Sequence, residues 1–366
     1  MLSTVQTHFT SLARDVLKLS PGIICLTGGG GKSTLMYTLG AALSLLGNNG
    51  LGSRVLLTTT TRIMRPGPEQ SRFFLECSSH EELALPEIPC VLTAARPAAP
   101  GQNPDYLRGF TCDEIDGFWQ RGIADWIIVE ADGSARRPLK APSAKEPVIP
   151  PLTKLVIAVA GLSAFGKTYN EALVFRTEEF SAVTGLNPGD ILSAGALAPL
   201  FIDSMGLFKG CPDKAKRMVF LNQADASGAM EEAIRFARSL LPAQGETIYG
   251  VYAGSAKQAE VPCLRLVMVH PTYIFFEAHI KPAIPEVQVR DHFLPEGLSP
   301  NTGSLRRIEL ESKRHYACLD FYGNGQLDIN VMEKLGQGPL MQVLTAAEDE
   351  ERQKQSLERM KLLLQE

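Results

Sequence analysis

The chain has 366 residues, 45% hydrophobic and 21% charged, with a net charge of −4. That is enough to bury a large core, and it is the composition of a soluble globular protein. The slightly acidic balance gives no general polyanion-binding signal, so no nucleic acid is expected as partner. No apolar run reaches a membrane span, and Arg14, Asp15 and Lys18 interrupt the first twenty residues, so neither membrane partner nor signal peptide is expected. The seven cysteines are scattered without a C-x-x-C pair, which suits reduced thiols in a cytoplasmic protein, and the six histidines show no metal-ligand spacing.

In chain order, residues 1–20 read as an amphipathic helix with Val5, Phe9, Leu12 and Val16 on one side. The short apolar run Gly22 to Leu26 leads through Gly28-Gly29-Gly30-Gly31-Lys32-Ser33-Thr34 into helical spacing over Leu35 to Leu46. Arg54 to Thr58 is a second strand, ending in the threonines 58–61, and Ile88 to Ala94 a third. Residues 64–85 show no clear period, and Arg96 to Pro104 is a proline-rich loop. Asp113 to Gly122 is a helix, and Trp126 to Val129 and Leu155 to Ala160 are central strands. Thr177 to Thr184 and Ile191 to Leu200 are helical. Met218 to Leu221 is a strand before a helix over 230–240, and Thr247 to Tyr252 is another strand. Alternating strands and helices imply an α/β protein with a mostly parallel, doubly wound sheet over residues 1–263. A smaller α+β extension is expected over 264–366. It has strands at Tyr273 to His279, Val287 to Asp291, Tyr316 to Tyr322 and Gln326 to Val331, and a hairpin turn at Gly323-Asn324-Gly325. A terminal helix over 344–364 carries the stripe Leu357, Met360, Leu364.

A strand, a glycine loop, Lys-Ser and a helix form the context of a phosphate-binding loop. Glycines let backbone N–H groups of Gly28, Gly29, Gly30, Gly31 and Lys32 turn toward phosphate oxygens. The helix start at Lys32, Ser33 and Thr34 adds unpaired donors and a positive dipole end. Lys32 would reach the β/γ-phosphates and Ser33 would ligate Mg²⁺. The first glycine of the usual pattern is replaced by Leu26, so the loop is a variant or one residue shorter. Glu130 and Asp132, after an apolar strand, are alternative metal acids, and Gly133 follows Glu130 at the E-x-x-G spacing of a γ-phosphate switch. A threonine of 58–61, with Thr60 the candidate, could hold metal or γ-phosphate. Arg136, Arg137 and Lys140 could neutralise transition-state charge, face an anionic partner or face solvent, and Arg136 is the catalytic candidate.

Asn222-Gln223-Ala224-Asp225 is similar to the guanine-reading element of GTPases, with Gln223 in place of its lysine. Asp225 would accept from guanine N1–H and N2–H₂, and Ser255-Ala256-Lys257 would be the companion loop near guanine O6. Together they favour GTP over ATP.

The glycine loop, the threonine run, Val129-Glu130-Ala131-Asp132-Gly133-Ser134-Ala135-Arg136, Pro138-Leu139-Lys140-Ala141-Pro142, Glu146-Pro147-Val148-Ile149-Pro150 and Leu221-Asn222-Gln223-Ala224-Asp225 resemble the YqeC-type proteins over about residues 20–260. That resemblance implies an accessory protein for maturation of selenium-dependent molybdenum hydroxylases, in a bacterial-type cytosol. Its implied partners are cofactor-maturation proteins or the apo-hydroxylase. The expectation is thus a P-loop protein binding Mg²⁺ and GTP or ATP and hydrolysing it slowly. The alternatives are a non-catalytic nucleotide-sensing module, or an enzyme transferring selenium or a phosphoryl group, for which Cys211 is the better candidate nucleophile.

Overall fold

Strands covered on both faces must be apolar along nearly their whole length. The computed structural model describes residues 10–47, 51–78, 80–240, 248–258, 261, 263–266, 276–284, 286–293, 304–322, 326–334, 339–346 and 349–365. Helix α1 (Thr10–Leu17) precedes strand β1 (Gly22–Gly28) and helix α2 (Lys32–Leu46). Strands β2 (Arg54–Thr59), β3 (Arg62–Met64), β4 (Phe74–Glu76), β5 (Cys90–Ala95) and β6 (Tyr106–Arg108) follow. Next come helix α3 (Cys112–Gln120) and strands β7 (Trp126–Glu130), β8 (Leu139–Lys140), β9 (Thr153–Gly161) and β10 (Val174–Phe175). Helices α4 (Thr177–Thr184), α5 (Ala194–Leu197) and α6 (Pro199–Ile202) lead to β11 (Lys216–Asn222), α7 (Ala229–Ser239), β12 (Gly250–Ala253) and β13 (Leu264–Arg265).

The protein is α/β, with a nine-stranded sheet ordered β13-β12-β11-β9-β1-β7-β2-β5-β4. All its neighbours are parallel except β12 and β13, which are antiparallel. Helix α2 buries Leu35, Met36, Leu39 and Leu43 at helical spacing against Leu26, Leu57 and Ile128. Helix α1 adds Leu12, Ala13 and Val16, while Val5 and Phe9 lie outside the described residues. Helix α3 starts where Thr111 and Glu114 form a reciprocal capping box.

The helix expected over 191–200 is instead two short ones, α5 and α6. They meet at Pro199, which has no N–H to continue the ladder. The stretch over 64–85 hides β4. A separate two-stranded ribbon joins β3 to β6.

The chain divides into two compact units, residues 1–240 with 246–266, and residues 241–245 with 267–366. The second contains an antiparallel meander of β14 (Gln288–Phe293), β15 (Ser304–Glu311), β16 (His315–Tyr322), β17 (Leu327–Glu333) and β18 (Pro339–Thr345), followed by helix α8 (Glu350–Gln365). Alternate residues such as Ile308, Leu310, Leu319, Ile329 and Val331 form one apolar face, against which Leu357, Met360 and Leu364 pack. The turn Gly323-Asn324-Gly325 lies outside the described residues, although the strands flanking it pair antiparallel. Two expectations are corrected. Phe276–Ile280 is a π-helical turn, not a strand; Phe276 and Ile280 fall on one side under either period, and both fill this core. The remainder of that expected strand, 273–275, lies outside the described residues. Leu344 belongs to a strand, because 339–345 alternates and the helix starts only after Asp349, whose carboxylate accepts the Arg352 N–H at 3.2 Å.

Candidate functional site

Because the central strands are parallel, their carboxyl ends line one edge of the sheet. Along that edge stand, in order, Thr59, Glu130, Gly28, Gly161, Asn222 and Ala253, each the last residue of its strand. The turn leaves the sheet at Gly28, and Leu26 is an ordinary strand residue paired with Glu130. Gly28, Gly30 and Gly31 have φ of 94°, 74° and 109°, values that side chains disfavour. A Cβ at Gly30 would collide with the Gly161 backbone, and one at Gly31 with the Asn222 amide.

The loop's donors divide into two groups. The N–H of Gly28 binds Asp132 Oδ2 at 3.0 Å, that of Gly29 binds Val159 O at 2.9 Å, and that of Gly30 binds Arg137 O at 2.9 Å. Gly31, Lys32, Ser33 and Thr34 open helix α2, where the first four N–H groups have no intrahelical carbonyl, and no side chain caps this helix.

Lys32 is 3% exposed. Its Nζ donates to Gly28 O at 2.6 Å and lies 3.2 Å from Asp132 Oδ1 and 3.8 Å from Glu130 Oε1. Ser33 Oγ donates to Glu130 Oε2 at 2.6 Å. Burial pushes the Glu130 carboxyl above its usual range, an effect that Lys32 and Ser33 only partly offset. Asp132 is fully buried, and its Oδ1 is paired with Lys32 by charge but has no directed hydrogen bond.

Of the three cations downstream, Lys140 enters this cluster. Its buried ammonium lies 3.0 Å from Asp132 Oδ2 and 2.8 Å from Glu146 Oε2, and donates to Gly133 O at 2.8 Å. Arg176 Nη2 extends the chain to Glu146 at 3.0 Å. The other two turn away. Exposed Arg136, at φ 61°, reaches Met64 Sδ at 2.8 Å, and Arg137 Nε donates to Glu171 O at 2.9 Å. Glu146 and Arg176 carry no chemistry-bearing motif of their own. Glu146 is signalled only by the block Glu146 to Pro150, and Arg176 by nothing in the sequence.

Thr59 Oγ1 donates to Glu130 O at 2.8 Å and Thr60 Oγ1 to Val148 O at 2.7 Å, so the threonine run brackets the acid's backbone. On the other side, Asn222 Nδ2 donates to Gly30 O at 2.7 Å and its Oδ1 accepts the Ala256 N–H at 2.8 Å. One amide thus ties the glycine loop to the companion loop. Ser255 is buried and its Oγ accepts the Gln258 N–H at 3.1 Å. Asp225 is exposed, with Oδ2 taking Gln258 Nε2 at 3.2 Å. Burial raises the Cys211 thiol despite Arg217, the opposite of what a nucleophile requires.

Among the described residues, no group of three His, Cys, Asp or Glu side chains could hold a metal ion. The Ser33 hydroxyl and Glu130 are hard oxygen donors that suit Mg²⁺ arriving with phosphates and its own waters, which is how that ion is usually held. A glycine cradle, open helix donors and the buried Asp132 Oδ1 all fit a magnesium-bound polyphosphate.

The model of the family described as "YqeC protein" matches residues 24–178, from the first strand past Arg176. A protein of Escherichia coli, described as "Uncharacterized protein YqeC", is 31% identical over 255 residues, covering 68% of this chain and 92% of its own. The chain belongs to the YqeC family. The family match therefore includes the glycine loop, both strand-end acids, Lys140, Glu146 and Arg176, whereas Asn222 and Asp225 lie beyond it. No solved structure matches the chain significantly. Among the described residues, no helix is long and apolar enough to cross a membrane.

Proposed function

We propose that this YqeC-family protein is a P-loop protein that binds a nucleoside triphosphate with Mg²⁺ and hydrolyses it slowly. The observation that carries the reading is the convergence of Lys32, Ser33, Glu130 and Asp132 beside the open N-terminus of helix α2. In this reading the N–H groups of Gly31 to Thr34 bind phosphate oxygens, and Lys32 moves from Gly28 O and Asp132 to the β/γ-phosphates. Ser33 and Glu130, or Asp132, hold the metal. Mg²⁺ supplies neutralisation of the charge on the phosphates. Asn222 fixes the two loops that flank the base, and Asp225 reads guanine, so GTP is preferred to ATP. The cycle serves maturation of a selenium-dependent molybdenum hydroxylase in the cytoplasm, with maturation proteins or the apo-hydroxylase as partners. That role rests on the sequence resemblance alone.

The test is Lys32→Ala in the full chain. Nucleotide binding is expected to be lost while melting remains cooperative, because Lys140 still neutralises Asp132. Unchanged nucleotide affinity in a folded variant refutes the assignment.

A further inference from the structure

Strands β3 and β6 pair antiparallel in the register Arg62↔Arg108, Ile63↔Leu107, Met64↔Tyr106. The middle pair is buried, so alternation turns Arg62, Arg108, Met64 and Tyr106 to the outer face, where all four are exposed. Two like charges directly opposed across a ribbon are destabilising. Neighbouring arginines are matched: Arg65 pairs with Glu76 at 2.5 Å and Arg96 with Glu114. Arg62 and Arg108 have no ion pair among the described residues, and neither has Arg136, whose guanidinium reaches Met64 on this same face. Arg108 Nε donates to the Pro97 carbonyl at 2.9 Å, a neutral partner, so among the described residues three guanidinium groups without a counter-charge belong to this face or reach it, beside Tyr106 and Met64 of the same register.

The ribbon hangs from the end of β2. The Gly109 N–H binds Thr61 O at 2.7 Å and the Phe110 N–H binds Thr59 O at 3.0 Å. Arg62 is two extended residues beyond Thr60, about 7 Å along the chain, and the Thr60 N–H binds Glu130 O at 3.2 Å. Arg136 adjoins Arg137, whose carbonyl takes the Gly30 N–H. Along the sheet edge the ribbon is on the β2 side of Glu130, while Asn222 and Ala256 are on the β11 side. A nucleotide whose base lies by Asn222 would therefore point its γ-phosphate toward the arginine face; this orientation rests on the proposed function.

We infer that Arg62, Arg108 and Arg136, with Tyr106 and Met64, form a second site for a small organic phosphate, bound beside the γ-phosphate end of the nucleotide site. Guanidinium forks match phosphate oxygens bidentately, and the ring and thioether supply an apolar surface for the body of the molecule. A face of five side chains is well below the 20–30 residues a side that a stable protein interface takes, which favours a small ligand over an acidic protein.

The test titrates inorganic pyrophosphate by calorimetry into the full-length Lys32→Ala protein, which removes the loop lysine but leaves this face intact. One remaining site is expected. Arg62→Gln with Arg108→Gln in that background is expected to weaken it at least tenfold, and Arg136→Gln severalfold, with melting not lowered, because all three side chains are exposed and the paired change removes a like-charge opposition. The arginine pair variant in the otherwise native chain keeps its nucleotide affinity. Absence of pyrophosphate binding to Lys32→Ala, or equal binding after removal of both arginines, overturns the site. Tighter arginine-dependent binding of a polyglutamate peptide than of pyrophosphate overturns the small-phosphate assignment. If the native chain binds no nucleotide, the proposed function fails while this titration still decides the second site.

Discussion

Lys140→Met removes the centre of the buried charge chain while keeping much of the side-chain volume. The ammonium has three partners, Asp132 Oδ2 at 3.0 Å, Glu146 Oε2 at 2.8 Å and Gly133 O at 2.8 Å, and the residue is 1% exposed. Removing one member of a buried pair typically costs about 3–5 kcal/mol, because the other charge is left uncompensated. Here Asp132 keeps Lys32 at 3.2 Å and the Gly28 N–H at 3.0 Å, and Glu146 keeps Arg176 at 3.0 Å. The lower end, about 3 kcal/mol, is therefore expected, which for a unit of this size is a Tm lower by about 6–12 °C. Urea midpoints and thermal melts of the native chain and variant measure it. Adding Asp132→Asn should cost less than the two single changes summed, since the second change removes the charge that the first left bare. A loss below about 1 kcal/mol, or strict additivity, refutes the reasoning and makes Lys140 a solvated cation.

Asp225→Asn should shift nucleotide preference from guanine toward xanthine in competition binding, and equal affinities of the native chain for GTP and ATP would remove the guanine-reading role. Burial raises the Asp15 carboxyl, but hydrogen bonds from Lys18 and Tyr252 and the charge of Arg265 more than reverse this, so it titrates below its usual range. A depressed folded-state pKa contributes stability that is present above the ordinary value of 3.8 and lost as pH falls through the folded one. The stability gap between the native chain and Asp15→Asn should therefore hold steady well above the ordinary value of 3.8 and close as pH falls below it, and a gap independent of pH would count against the cluster. In the loop over 130–142, the N–H groups of Ala131, Arg137 and Leu139 are bound to Leu26 O, Ser134 O and Leu173 O, while Gly133 borders open space. Hydrogen exchange should thus show added protection over 133–136 with a non-hydrolysable triphosphate and little change at Ala131 or Leu139. Identical protection with and without nucleotide would make the loop a rigid packing element and not a switch.

Much of the sheet was legible because burial on both faces leaves a plain mark, an unbroken apolar run such as Ile23 to Leu26 or Val156 to Ala160. Short edge and ribbon strands leave none: Phe74–Glu76, half-buried, and Tyr106–Arg108, mostly exposed, are three residues each, so no pattern develops. Strand order was not legible either, since the contact of β1 with both β7 and β9 depends on crossovers that no local pattern encodes. In the second unit, Leu344 continued the leucines of the tail by eye, but alternation over 339–345 governs because residue 345 is buried and residue 344 is 61% exposed.

The glycine loop and the two acids could be found because each sits where a strand must end. Which cation faces inward could not, because that depends on backbone direction. Ala135 and Arg136 adopt φ of 47° and 61°, which turns the chain between Gly133 and Pro138 and sends Arg136 out to Met64. Lys140 lies in β8 beside β10, a strand of two residues with no sequence signature, and its burial requires the carboxylates of both Asp132 and Glu146. Three cations, Lys32, Lys140 and Arg176, thereby meet three carboxylates, Glu130, Asp132 and Glu146. A balanced cluster can assemble before any ligand arrives, whereas an excess of buried positive charge would not. Counting positive residues near the glycine loop thus overstates the charge that is not already matched by carboxylates. Lys140 and Arg176 are committed to holding the acids in place, so under the proposed function the charge left for the nucleotide's phosphates is Lys32 and the open end of helix α2.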